Sequence, residues 1–224
     1  VFFDSFQLVG NMNSGVNEPR APLIEVSHIH TRFGAAVVHD DVSLTVNRDE
    51  VFAIAGGNGS GKSVLMREMI LLQQPTSGTI GIFGQNVSTM NEAEVAALRR
   101  RCGVLFQHGA LFSSLTVTEN VAVPLREHTQ LSRRLIEELA LLKIASTGFP
   151  MASVTKYPNE LSGGMRRRAA LARGMAHDPE LLFFHEPTSG MVGHRGRERD
   201  VDLACVVPVE DLVHVGPEAA RDLR

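Results

Sequence analysis

The chain has 224 residues, 43% of them hydrophobic and 21% charged, with 22 Lys and Arg against 25 Asp and Glu for a formal charge of −3. This is ordinary globular composition, enough for one domain with an embedded subdomain, and the acidic balance argues against a general nucleic-acid binder. No run approaches the roughly 18 apolar residues that span a bilayer, and Cys102 and Cys205 stand in no CxxC or Cys/His spacing, so neither a disulfide framework nor a zinc site is implied and a reducing compartment fits.

The first ten residues, VFFDSFQLVG, are apolar but lack a basic segment and are interrupted by Asp4, which speaks against a signal peptide. The chain opens on Val, and Met12 precedes a polar stretch reaching Pro22. Residues 1–11 are therefore expected to lie upstream of the natural start, and residues 1–22 to form a disordered or non-native leader.

From Leu23 to Val46 the residues alternate in β-type runs broken at Gly34 and at Asp40-Asp41, which predicts antiparallel strands. Val51 to Ala55 is a compact apolar strand ending in a glycine-rich turn, and Ser63 to Leu72 carries Val64, Leu65, Met66, Met69 and Ile70 at helical spacing. Gly78 to Gly84 reads as a strand, 91–102 as a helix and Gly103 to Gln107 as a buried strand. Residues 114–148 read as helices with a short connection near Leu131-Ser132, Leu161 to Gly164 opens another helix, and Leu181 to Phe184 is a last apolar strand. From Met191 to Arg224 about a third of the residues are charged, with no amphipathic period over the first dozen.

Between the compact strand and its helix lies Gly56-Gly57-Asn58-Gly59-Ser60-Gly61-Lys62-Ser63, which fits GxxxxGK[ST]. Small residues let successive backbone N–H groups turn inward on phosphates, and the positive end of the following helix adds to them. Lys62 is placed to bridge the β- and γ-phosphates and Ser63 to ligate Mg²⁺. A second phosphate-type element is Leu161-Ser162-Gly163-Gly164-Met165, where Ser162 is a natural N-cap and Met165, Ala169, Ala172 and Ala176 fall on one helical face. Alone this is an ordinary helix start.

Together the two elements resemble the phosphate loop and signature motif of the ABC-type ATPases. That resemblance covers roughly residues 23–190 and implies an α/β P-loop NTPase core, with an N-terminal antiparallel β-subdomain and a helical subdomain inserted at about 88–160. It implies ATP and Mg²⁺ as ligands. It also implies a head-to-tail dimer, in which Leu161, Ser162, Gly163, Gly164 and Met165 close over the γ-phosphate held by the other subunit. Gln107 matches the family's Q-loop glutamine, which touches Mg²⁺ and the attacking water, and Phe33 matches the aromatic that stacks on adenine, an ordinary core Phe being the alternative. Glu186 matches the general base.

The stretch FQHGALFSSLTVTENVAVPLREHTQ, from Phe106 to Gln130, is similar to the ATPases of bacterial phospholipid-trafficking transporters of the Mla or toluene-tolerance type. It implies a transmembrane permease subunit docking on the 107–121 region, with Leu111, Phe112, Leu115 and Val117 as an apolar patch, and core packing as the alternative for each. The implied location is cytoplasmic, peripheral on the inner face of the cell membrane. Arg166, Arg167 and Arg168 read as a solvated helix face, with no nucleic-acid partner.

The pattern then breaks. Where the family has Asp before the general base, this chain has His185, and Mg²⁺ prefers oxygen donors to imidazole. The pair is not a zinc-protease HExxH, since position 189 is Ser189. After Gly190 the family's Leu-Asp is replaced by Met191-Val192-Gly193, and neither His194 nor His214 takes the place of the histidine that holds the γ-phosphate. A reading-frame change near Gly190 or an internal deletion both account for residues 191–224 as a divergent tail, and both are expected to leave the parallel sheet short of a strand.

Two functions follow from the resemblance: the ATP-hydrolysing, energy-coupling subunit of a lipid ABC transporter, or a nucleotide-binding chain that does not hydrolyse. A repair- or translation-type ABC protein would need a coiled-coil insertion or a second cassette, neither of which these residues contain.

Overall fold

The computed structural model describes residues 7–9, 22–48, 50–57, 59–106, 109–185 and 202–208. The chain divides into two compact units, one made of Val1–Arg99 with Phe183–Arg224, the other of Arg100–Leu182. In the first unit β2 (Ile24–Phe33) and β3 (Ala36–Val46) form the expected antiparallel pair, extended by β5 (Ser77–Ile82) and β6 (Gln85–Asn86) in the order β3-β2-β5-β6. Ile24 pairs with Val46 on one side and Ile82 on the other, so that alternate residues build one apolar face of Ile24, Val26, Val46, Ile80 and Ile82.

Asp40-Asp41 does not end a strand as the sequence suggests. β3 runs through it across a bulge, with Asp41 at φ +61 and its carboxylate 2.6 Å from His28 Nδ1 while Asp40 meets His30 Nδ1 at 3.1 Å.

The second sheet of this unit runs β1 (Gln7–Val9), β4 (Phe52–Gly56), β9 (Asp202–Pro208) and then β8 (Leu181–His185). The expectation of a missing strand is corrected here. β9 stands beside β4 in antiparallel register, Phe52 opposite Val206 and Gly56 opposite Asp202, with Val206 and Val207 buried. A backbone edge in a sheet interior carries unpaired N–H and C=O groups, and Asp202 to Val206, from beyond Gly190, pair with the five residues of β4.

Helix α1 (Lys62–Met69) follows β4 and buries Leu65, Met66 and Met69. It stops earlier than its apolar run, because Leu71 turns left-handed at φ +62 and its carbonyl accepts from the Arg99 guanidinium at the end of α2 (Glu92–Arg99). Among the described residues no helix is long and apolar enough to cross a membrane.

In the second unit β7 (Cys102–Leu105) lies beside the start of β8, and α3 (Val117–His128), α4 (Arg133–Ser146) and α5 (Gly163–Gly174) enclose one core. Each helix starts at a side-chain cap. Thr116 and Glu119 make a reciprocal capping box, and Ser132, at the predicted connection, caps α4. Val121, Leu125, Ile136, Ala140, Ile144, Ala169, Ala172 and Ala176 pack together, the last three being the alanine face read from the sequence. β7 passes so close to the end of α5 that a Cβ on Gly103 would lie 2.3 Å from the Gly174 carbonyl oxygen.

Candidate functional site

The strand, glycine loop and helix order places the end of β4 against the start of α1, with Lys62 as the first helical residue. Lys62 is only 6% exposed, and its ammonium is held inside the loop. It donates to the carbonyls of Gly56 at 2.6 Å and Gly57 at 2.8 Å and to Ser60 Oγ at 3.0 Å. A buried ammonium must be hydrogen-bonded, and the loop's own carbonyls meet that need until stronger oxygen acceptors arrive.

Gly61 is the N-cap of α1 at φ +91, a conformation that a side chain resists, and its carbonyl accepts from Val64 N at 2.9 Å and Leu65 N at 3.0 Å. Gly61 has no side chain with which to cap this helix end, so the positive end of the helix dipole favours an anion there. The loop glycines Gly57 and Gly59 have nothing within 4 Å of a built Cβ, which gives a ligand open access to the backbone.

Ser63 Oγ lies 2.8 Å from His185 Nε2 at the end of β8. The Ser63 hydroxyl suits Mg²⁺, but the imidazole on it does not, since a hard cation takes oxygen donors and imidazole nitrogen suits softer metals. The Ser63 and His185 pair therefore departs from a Mg²⁺ donor set, and among the described residues no group of three or more His, Cys, Asp or Glu converges to hold a metal.

The remaining sequence-derived residues separate into distinct places. Phe33 is 53% exposed at the tip of the β2–β3 hairpin, so it is not a core residue, and a ring face is available for stacking. Leu161 is buried, Ser162 Oγ accepts from Met165 N at 3.3 Å, and Gly163 and Gly164 are exposed with open space in front of them. Met165 packs on the helical core. Asn58, Gln107 and Glu186 lie outside the described residues.

The apolar patch is smaller than expected. Val117 is fully buried and belongs to the helical core, Leu111 packs on that core, and Leu115 is half-buried, whereas Phe112 is 52% exposed. Asn120 sets this loop from the buried first turns of α3. Its Oδ1 accepts from Phe112 N at 2.8 Å, and its Nδ2 faces the carbonyls of Phe112, Leu115 and Thr116 at 2.9 to 3.1 Å. Arg173 donates to the Ala110 and Gly109 carbonyls at 2.8 and 3.0 Å and lies 5.8 Å over the Phe112 ring. Burial pulls its guanidinium below the usual range, yet three such contacts keep the cation in place.

The sequence reading missed a group beside the phosphate loop. His39 on β3, Glu68 on α1 and Thr31 on β2 are buried together. The signal was present in Glu68, a charge set within the apolar face formed by Leu65, Met66 and Met69.

The ABC transporter family profile matches residues 39–189. The intermembrane phospholipid transport system ATP-binding protein MlaF of Haemophilus influenzae is 41% identical over 168 residues, covering 75% of this chain and 63% of the relative. The probable ribonucleotide transport ATP-binding protein mkl of Mycobacterium tuberculosis strain H37Rv is 37% identical over 193 residues, 85% of this chain and 54% of the relative. The chain thus spans less than two thirds of the length of these curated relatives. Among solved structures, the dimeric post-hydrolysis state of the ATP-binding cassette MJ0796 bound to ADP and Pi superposes with a TM-score of 0.62 at 25% identity, over 71% of this chain and 72% of that one. The phosphate loop, the capped glycine start of α5 and the matched span agree, and the chain belongs to the ABC transporter family.

Proposed function

We propose that the chain is the ATP-binding, energy-coupling subunit of an ABC transporter that moves phospholipid between membranes. The observation that carries this is the folded phosphate loop, with Lys62 sequestered by the Gly56 and Gly57 carbonyls at an α1 N-terminus whose N-cap is the left-handed Gly61. An anion with several phosphate oxygens satisfies both, displacing the carbonyls from the ammonium and accepting from the loop amides. Phe33 stacks on the base, and Ser63 lies beside the phosphates. The identity to MlaF supports lipid as the cargo; the relative named for ribonucleotide transport supports the same energy-coupling role with another cargo.

In this reading two copies pair head to tail, so that Ser162, Gly163 and Gly164 of one meet the nucleotide of the other. A transmembrane permease docks on the loop that presents Phe112, which places the protein on the inner face of the cell membrane. Gln107 and Glu186 serve the attacking water. Mg²⁺ supplies charge neutralisation to the phosphates in the family, but the His185 imidazole on Ser63 does not suit it, and that contact favours a second reading in which nucleotide is bound with little turnover.

Titration with a fluorescent ATP analogue, in parallel with phosphate release, separates these. Binding abolished by Lys62→Ala supports the site. Binding without measurable turnover selects the second reading, and no binding by the parent chain refutes both.

A further inference from the structure

We infer that His39 is a positioning residue for the phosphate loop, holding the Gly61 carbonyl and through it the left-handed turn from which the amides of Lys62 and Ser63 reach a nucleotide's phosphates. The inference rests on the nucleotide-binding reading of residues 56–63. His39 Nε2 lies 3.2 Å from Gly61 O, the same oxygen that accepts from Val64 N and Leu65 N in the first turn of α1. The imidazole edge is so close that a Cβ on Gly61 would come within 2.8 Å of Nε2, so the ring also enforces glycine at this cap.

A carbonyl accepts only, so Nε2 carries a proton. On the other side of the ring, Nδ1 faces Glu68 Oε2 at 3.2 Å, at ion-pair distance though off the line of a hydrogen bond. Glu68 Oε1 accepts from Thr31 Oγ1 at 2.6 Å. Both His39 and Glu68 have side chains that are 0% exposed. Buried face to face with the ring, the carboxylate has the imidazole as its polar neighbour at Oε2, and neither partner can be removed without stranding the other.

Three elements are joined by these contacts: β2 through Thr31, β3 through His39 and α1 through Glu68. An apolar residue at 39 would fill the same space. It would not grip the Gly61 carbonyl. The arrangement therefore ties the hairpin strands to the angle of the loop, and it predicts an effect on nucleotide affinity separate from any effect on folding.

The test uses the full chain and compares the parent with His39→Leu/Glu68→Leu, which removes both buried polar partners together, and with His39→Gln, whose amide can still donate to Gly61 O. Melting temperature without nucleotide and the dissociation constant for a fluorescent ATP analogue are read for each. The expected result is a folded double variant that binds about tenfold more weakly, with His39→Gln within about threefold of the parent. A folded double variant with unchanged affinity overturns the inference. Should it not fold, the parent's own imidazole N–H resonance, identified by its loss in His39→Gln, decides: a shift on saturation with the analogue supports the coupling, and an unmoved resonance overturns it. Absence of binding by the parent would instead refute the nucleotide-binding reading.

Discussion

His185 Nε2 stands 2.8 Å from Ser63 Oγ, joining the end of β8 to the first turn of the helix that follows the phosphate loop. The contact keeps β8 and α1 in register across the loop. It also sets a nitrogen donor where a hard cation's water shell wants a carboxylate.

Replacing that imidazole is the direct way to separate binding from turnover. His185→Asp is expected to tighten Mg²⁺-ATP binding by about tenfold while leaving phosphate release far below that of a full-length relative. The reason is the expectation that Met191-Val192-Gly193 stands where the family resemblance implies Leu-Asp. Full turnover from this one substitution would show that those later residues are dispensable.

Gly103 is a position where the absence of a side chain is structural. A Cβ there would meet the Gly174 carbonyl at 2.3 Å and Leu182 Cδ2 at 2.5 Å. Backbone cannot yield as a flexible side chain does, so Gly103→Ala is expected to cost about 3 kcal/mol, measured by urea denaturation of the parent and variant. A cost below about 1 kcal/mol would mean that β7 shifts freely along α5.

Cys102 lies beside that glycine, and burial pushes its thiol up to about 12, with the Arg101 cation only partly offsetting it. The thiolate is the reactive form. In a Cys205→Ser background the native chain should therefore resist an aromatic disulfide reagent at pH 8 and react fully in denaturant. Rapid labelling without denaturant would contradict the raised, unreactive state of this thiol.

Burial, reinforced by His128 6.0 Å away in an edge-on contact, pushes the His177 imidazole below its ordinary value of 6.5. The folded chain then binds fewer protons than the unfolded chain just below pH 6.5, so stability is lost as the pH falls through that value and the loss levels off below the depressed folded value. The melting temperature should fall by a few degrees between pH 7.5 and 5.5, and His177→Gln should flatten that part of the profile. An identical profile in the variant would assign the acid sensitivity to other groups.

The sequence made the phosphate loop legible because it is local: one strand, eight residues and one helix carry it, the spacing of glycines, Lys62 and Ser63 marks the loop, and the apolar pattern marks the strand and helix on either side. The capped start of α5 and the alanine face behind it were legible for the same reason. What escaped was set by partners distant along the chain. For Val117 the resemblance implies a docking patch and leaves core packing as the alternative, and the core of α3, α4 and α5 buries it completely. Asp40-Asp41 read as a break because two acids in a row suit a turn, yet His28 and His30 across the ladder hold both. The His39, Glu68 and Thr31 cluster needs three elements at once, and β9 takes its place beside β4 from residues whose own pattern shows no strand partner.

The pose of Lys62 has a kinetic meaning. Its ammonium has already lost its water and its rotamer freedom to the Gly56 and Gly57 carbonyls, so an arriving nucleotide exchanges one set of oxygens for another and does not have to collapse an open loop. Association should then proceed at the rate of encounter and show little dependence on temperature, while differences among nucleotides, and among variants of the loop, appear as differences in residence time.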